Sequence, residues 1–189
     1  MQKKIYIVRH CAAQGQPPES PLTEQGLTQA KQLGEFFIHA KIDRIISSPF
    51  QRAIQSVEPV SKSTTSHIEI DDRLAERILS TTDLPDWYKK LSATFDNMEL
   101  TFEGGESSQE AMNRIVNVVE EVLESGAEET VIVSHGNIIS LLLKHYNPDF
   151  NFECWKNLSN PDVFLLTYEE SEVSLNRIWN EKEYNNQKS

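Results

Sequence analysis

The fold of this chain is constrained most by a rhythm in which short continuous apolar runs alternate with longer stretches of helical periodicity. Residues 3–8, 43–47, 67–70 and 131–133 read as strands, the first fully apolar after its lysines. From Thr23, the residues Leu27, Ala30, Leu33 and Phe37 recur every three to four positions and define a helix face. Thr23 can cap that helix, and Glu24 suits its positive end. A second helix over 50–62 should be ended or kinked by Pro59. The longest helix is predicted over Ser108–Ser125, with Ser107 and Glu110 in capping-box spacing and Gly126 as its stop. A further helix, Asn137–Tyr146, ends at the Asn147-Pro148 turn. Residues 163–168 and 172–178, joined by Glu169-Glu170-Ser171, read as a hairpin, and the last ten polar residues are expected to fray.

Continuous apolar strands alternating with helices predict a three-layer α/β/α sandwich, a mostly parallel sheet with helices on both faces. With no internal repeat or linker, 189 residues are expected to form one domain, 1–189. The stretch 80–106 is the one long irregular connection, rich in aromatic residues and carrying Gly104-Gly105, and is a candidate lid or cap. Trp87, Tyr88, Lys89 and Lys90 within it either contact a ligand or simply pack the lid.

Ligands of such sheets bind beyond the carboxyl ends of the strands. Arg9-His10 follows the first strand, Ser47-Ser48-Pro49-Phe50-Gln51-Arg52 the second, and His135 the fourth. A neutral imidazole at His10 is a competent nucleophile towards phosphorus. Arg9 and Arg52 can supply bidentate guanidinium contacts to the phosphoryl oxygens, with His135 as a third donor. The backbone amides of Gly136 and Asn137, opening a helix, are candidates for a further phosphate contact. Glu76, just after the third strand, is a candidate acid. His39, His67 and His145 lack a strand-end setting and are assigned surface or structural roles.

The charge balance is 18 basic against 29 acidic residues, net −11, which disfavours nucleic acid and anionic membrane as partners; the small phosphorylated substrate that the strand-end motifs call for must be drawn in by a local basic pocket against that field. No apolar stretch approaches the roughly 20 residues needed to span a bilayer, and the N-terminus shows no signal-peptide pattern, so a cytoplasmic location is expected. Cys11 and Cys154 fit neither a disulfide framework nor a zinc site, and no metal or cofactor is expected. The oligomeric state is left open.

The chain resembles the histidine phosphatase superfamily, which contains the cofactor-dependent phosphoglycerate mutases. The resemblance spans residues 3–145 and rests on Arg9-His10, Pro21-Leu22-Thr23-Glu24-Gln25-Gly26, Ser47 to Ser56, Leu74-Ala75-Glu76, Gly104-Gly105-Glu106-Ser107 and Ser134-His135-Gly136-Asn137. It implies a phosphoglycerate mutase-like fold, His10 as the phosphorylated nucleophile, and Arg9, Arg52 and His135 as the phosphate pocket. It also implies Glu76 as proton donor to the leaving oxygen. Cys11, Ala12 and Ala13 stand where the family usually has glycine, an acidic or amide residue, and a small hydroxyl residue. Cys11 reads as a packed small residue rather than a second nucleophile, and Gln16, ahead of Gln14, is the candidate to replace the lost polar contacts. The expected function is a metal-independent phosphomonoesterase working through phosphohistidine. The alternatives are mutase-type phosphoryl transfer, disfavoured by the compact length, and a non-catalytic phosphate-binding scaffold.

Overall fold

In chain order the elements are β1 Lys3–Arg9, α1 Glu24–Phe36, β2 Arg44–Ser47, α2 Gln51–Thr64, β3 Ile68–Ile70 and a single 3-10 turn, Asp72–Leu74. They continue with α3 Trp87–Asp96, α4 Ser108–Glu124, β4 Glu129–Ser134, α5 Gly136–Tyr146, α6 Phe152–Lys156, β5 Asp162–Glu169 and β6 Glu172–Arg177. These come from a computed structural model that describes residues 2–180. The tail expected to fray lies, apart from Asn180, outside the described residues.

The strands form one sheet of order β3-β2-β4-β1-β5-β6. The β3, β2, β4 and β1 strands run parallel, while β5 pairs antiparallel with β1 and carries β6 as a hairpin partner. Alternate strand residues feed two cores. Ile5, Ile7, Ile46 and Ile132 pack with α4 and α5 on one face, and Tyr6, Val8, Ile45, Val131 and Val133 with α1 and α2 on the other. That is why the strands read as unbroken apolar runs: both faces are covered. Among the described residues no helix is long and apolar enough to cross a membrane.

Most elements lie where periodicity places them, and the differences have local causes. Leu27 is 48% exposed, so it is not on the core face of α1. The buried stripe is Gly26, Ala30, Leu33 and Phe37, one position away from Leu27 at its start. Pro59 neither ends nor delimits α2, which runs on to Thr64. Its ring packs where α1 crosses, and a Cβ added at Gly34 would stand 3.0 Å from the Pro59 Cβ. With Val57 and Val60 buried on either side, tertiary packing offsets the lost backbone bond.

Gly126 is not a left-handed stop for α4 either. Ser125 ends the helix in extended conformation, its N–H donating to the carbonyls of Glu121 and Val122. The capping box between Ser107 and Glu110 forms as expected. At the β5–β6 hairpin, Glu170 (φ 50°) and Ser171 (φ 71°) take the left-handed pair that a two-residue turn requires.

The connection 80–106 is not irregular throughout. It contains α3, held by buried Leu91, Thr94 and Phe95 at i, i+3 and i+4, a periodicity too short to stand out in sequence. The five-residue α6 is likewise absent from the sequence reading; Asn151 caps it by accepting from the Cys154 N–H.

Gly26 is fixed by close approach. A Cβ there would sit 2.0 Å from the carbonyl oxygen of Ala12, which accepts from the Thr23 N–H at 3.0 Å. Gly26→Ala is therefore expected to push the 11–13 segment away from α1 and cost roughly 1–3 kcal/mol. Urea denaturation of the variant checks this; an unchanged midpoint would show that the segment yields freely.

Candidate active site

Sheet register assembles the site. The β1 and β4 strands are neighbours with Arg9 opposite Ser134, so His10 and His135 leave the sheet side by side. The His10 N–H donates to the Ser134 carbonyl at 3.1 Å, and the two imidazole rings stand 5.1 Å apart. On the other side of β4, Ser47 of β2 pairs with Val133, which delivers Ser48 next to His135. The Ser48 Oγ accepts from the Phe50 N–H and lies 2.7 Å from Nε2 of His135. Its own proton can turn to that nitrogen, the arrangement that goes with a His135 hydrogen on Nδ1. Nδ1 is buried and has no partner in the protein.

His10 is oriented from the opposite end of its ring. Nδ1 lies 2.7 Å from the Cys11 carbonyl, an acceptor only, so Nδ1 carries the hydrogen and Nε2 the lone pair. The Arg52 Nε points at that lone pair from 3.3 Å. Arg52 is 2% exposed, and its Nη1 donates to the carbonyls of Gln16 and Pro17 at 2.9 and 3.0 Å, which hold its fork in place. Arg9 donates through Nη1 to the Leu158 carbonyl at 3.1 Å, while its buried Nε has no protein partner. Asn160 completes the support by donating to the His10 carbonyl at 2.7 Å. The segment 158–160, between α6 and β5, thus braces both motif residues, and no motif in the sequence marks it.

Burial above all pushes His10 down to about 3; the Cys11 carbonyl opposes this, and the Arg52 and Arg9 charges add to it. His135 is also held well below the ordinary range, by burial first and then by the charges of His10 and the arginines. Both rings are neutral at pH 7, as a nucleophile and a donor need. The unfolded chain takes up protons at these histidines near pH 6.5, and the folded protein resists until far lower. Their stabilisation is present in full above that pH and drains away as pH falls from about 6.5 towards 3. The urea midpoint is expected to fall over this interval, with a shallower fall in His10→Asn. Equal slopes for the two proteins would contradict the lowered His10 value.

Glu76 follows the 3-10 turn and reaches the N-terminus of α5. Oε2 accepts from the Asn137 N–H at 3.0 Å, and Oε1 from Ile138 and Arg77 at 3.0 and 2.8 Å. The carboxylate is the cap of α5. Asn137 therefore does not present its amide to a phosphate, contrary to the sequence expectation, because Glu76 already occupies it. Gly136 lines the site as the close neighbour of Arg9, where a Cβ would be 3.0 Å from the guanidinium. Arg114 fixes the approach to Glu76 by donating to the Ala75 carbonyl at 2.7 Å and pairing with Glu106 at 2.9 Å.

A cavity of about 380 Å³ opens beside this cluster, lined by Arg9, Gln16, Glu76, Arg77, Asn137 and Trp155 among others. Gln16 is thus at the pocket, whereas Gln14 turns its side chain to the Leu22 carbonyl. Cys11 is fully buried in the core and its thiol is pushed up to about 12 by burial, so it packs and does not react. His39, His67 and His145 are exposed, away from the cluster. Sequence reasoning missed Asn137 as a side chain. It is 7% exposed, and neither Oδ1 nor Nδ2 has a protein partner.

The strand-end geometry gathers His10, Arg9, Arg52, His135 and Glu76 in one cluster, with an unsatisfied buried donor on Arg9 and an unpartnered ring nitrogen on His135. Such a set fits a tetrahedral oxyanion. Known proteins agree with that chemistry. The sequence matches the Histidine phosphatase superfamily (branch 1) over residues 5–181. It is 26% identical over 156 residues, 75% of this chain and 77% of the relative, to "Putative phosphoserine phosphatase 2" of Hydrogenobacter thermophilus. It is 30% identical, over 89% of this chain and 86% of the relative, to "Probable phosphoglycerate mutase GpmB" of Salmonella paratyphi A. The fold is similar to that of a mycobacterial glucosyl-3-phosphoglycerate phosphatase, with a TM-score of 0.75 at 21% identity over 95% of this chain and 99% of the other. Over residues 5–181, the whole of the sheet but the first two positions of β1, the chain belongs to branch 1 of the histidine phosphatase superfamily.

Proposed function

We propose that the protein is a metal-independent phosphatase that hydrolyses a phosphomonoester through a phosphohistidine on His10. The observation that carries this reading is the tautomer lock on His10: Nδ1–H tied to the Cys11 carbonyl, and a bare Nε2 facing the cationic cradle.

In the first step the Nε2 lone pair attacks phosphorus, forming the N–P bond as the P–O ester bond breaks. Arg9, Arg52 and the His135 Nδ1–H face the phosphoryl oxygens and offset the charge that spreads over them. The leaving oxygen takes a proton from Glu76. Oε1 has both lone pairs engaged by N–H groups, so Oε2, with one acceptor site left, is the oxygen that carries the transferable proton. In the second step water attacks phosphorus, gives a proton to Glu76, and the N–P bond breaks to release phosphate. The cations required are the protein's own arginines, which is the basis for independence from metal. The connection 80–106 acts as the cap over the leaving group, since α3 supplies part of the cavity wall.

The test is rapid quench with a phosphorus-labelled aryl phosphate in chelator. A label on the protein that is acid-labile, base-stable and lost in His10→Ala is expected. Turnover that needs added metal, or a label elsewhere, would overturn the reading. With a labelled ester of a diol in place of the aryl phosphate, return of the label to the second hydroxyl would favour the mutase reading instead.

A further inference from the structure

Part of the cavity wall is built from ring and aliphatic faces: Trp87 from α3, Trp155 from α6, and with them Leu79 and Leu91. The two tryptophans belong to a braced aromatic run. Trp155 stacks on Phe152 (centroids 5.2 Å, 20°), Phe152 meets Tyr88 edge-on at 5.0 Å, and Tyr88 meets Trp87 at 5.6 Å. Even so, Trp87 is 50% exposed. A fixed, half-uncovered indole at the wall of a crevice is a surface waiting for an apolar face.

The cation on this side is already engaged. Arg77 is 7% exposed; Nη1 donates to the Thr94 hydroxyl at 2.9 Å, and Nε and Nη2 both donate to the Glu106 carbonyl, at 3.2 and 3.1 Å. Its guanidinium serves the junction of α3 and α4. What the wall does offer is the Asn137 amide, nine-tenths buried, lining the cavity with a donor and an acceptor both unpaired. An amide of that kind suits a neutral hydroxyl or ring oxygen better than a carboxylate.

Building on the phosphatase reading, we propose that the site selects phosphate esters whose leaving group is an uncharged ring, laid against Trp155 and Trp87 and hydrogen-bonded by Asn137. Acyclic carboxylated esters of the phosphoglycerate or phosphoserine type are the disfavoured class. An aryl ring and a sugar ring share the required apolar face.

Equilibrium binding of non-hydrolysable phosphonates tests this without any turnover. Benzylphosphonate, cyclohexylmethylphosphonate, butylphosphonate and 3-phosphonopropionate are titrated into the full-length protein by calorimetry. Either ring compound is expected to bind about 10-fold more tightly than the two acyclic ones. Trp155→Ala should weaken the ring compounds about 3- to 10-fold and leave inorganic phosphate unchanged, while Trp155→Phe restores most of the loss. Preference for benzyl over cyclohexylmethyl would assign an aryl ester, and equal affinity a saturated ring such as a sugar. Tighter binding of 3-phosphonopropionate, or ring affinity untouched in a folded Trp155→Ala and Trp87→Ala pair, would overturn the proposal. Because binding is read separately from phosphoryl labelling, loss of the ring preference and loss of the phosphohistidine are different results.

Discussion

His10→Ala is expected to lose on the order of 10⁴-fold or more in kcat on p-nitrophenyl phosphate, because the nucleophile has no substitute within reach. Cys11, the adjacent soft nucleophile, is fully buried with its thiol pushed up to about 12, and Ser48 is committed to His135. Inorganic phosphate should still bind, since Arg9, Arg52 and His135 remain. Steady-state rates and phosphate titration on the same preparation check both halves. A variant retaining a tenth of the activity would remove His10 from the role of nucleophile. A wild-type protein inert towards every ester, yet folded and phosphate-binding, would point to the scaffold alternative.

Arg52→Ala carries the second large effect, on the order of 10²- to 10³-fold in kcat/KM, the scale for deleting one preorganised donor to a transition-state anion. Arg52→Lys is expected to recover only a small part. A lysine keeps the charge but not the geometry, in which Nε meets His10 while Nη1 reaches the carbonyls of Gln16 and Pro17. Assays of both variants with one aryl phosphate decide the matter. Full activity in the lysine variant would reduce Arg52 to a point charge and leave His10 oriented by the Cys11 carbonyl alone.

The strands and the phosphate end were legible because they depend on short-range patterns. An apolar run ending in Arg9-His10 or Ser134-His135 states both an element and a place on it. The same patterns do not report what a distant segment does. Leu27 fits a helix face by spacing, yet the close approach of Ala12 to Gly26 rotates it into solvent. Pro59 looks like a terminator until Gly34 is placed beneath it. Glu76 is readable as a carboxylate at a strand end, but its capping of α5, some 60 positions later, is a tertiary fact. Leu158 braces Arg9 through a backbone carbonyl that any residue could provide, and Asn160 braces His10 through a side-chain amide 150 positions away, which no local pattern announces. The aromatic wall of the cavity is the least legible part, because α3 and α6 are short and their aromatic residues serve packing equally well.

The adjacency of β1 and β4 has a consequence for how such a site can diverge. The separation of His10 and His135 is set by a backbone ladder rather than by the side chains around them. The spacing of the two histidines is thereby insulated from change at the periphery, where Trp87 and Trp155 stand on α3 and α6, outside the sheet. On the phosphatase reading proposed above, those two helices can drift in sequence, and with them the choice of alcohol, while the distance between His10 and His135 stays as it is. The ladder is a ruler, and specificity is written on the part it does not measure.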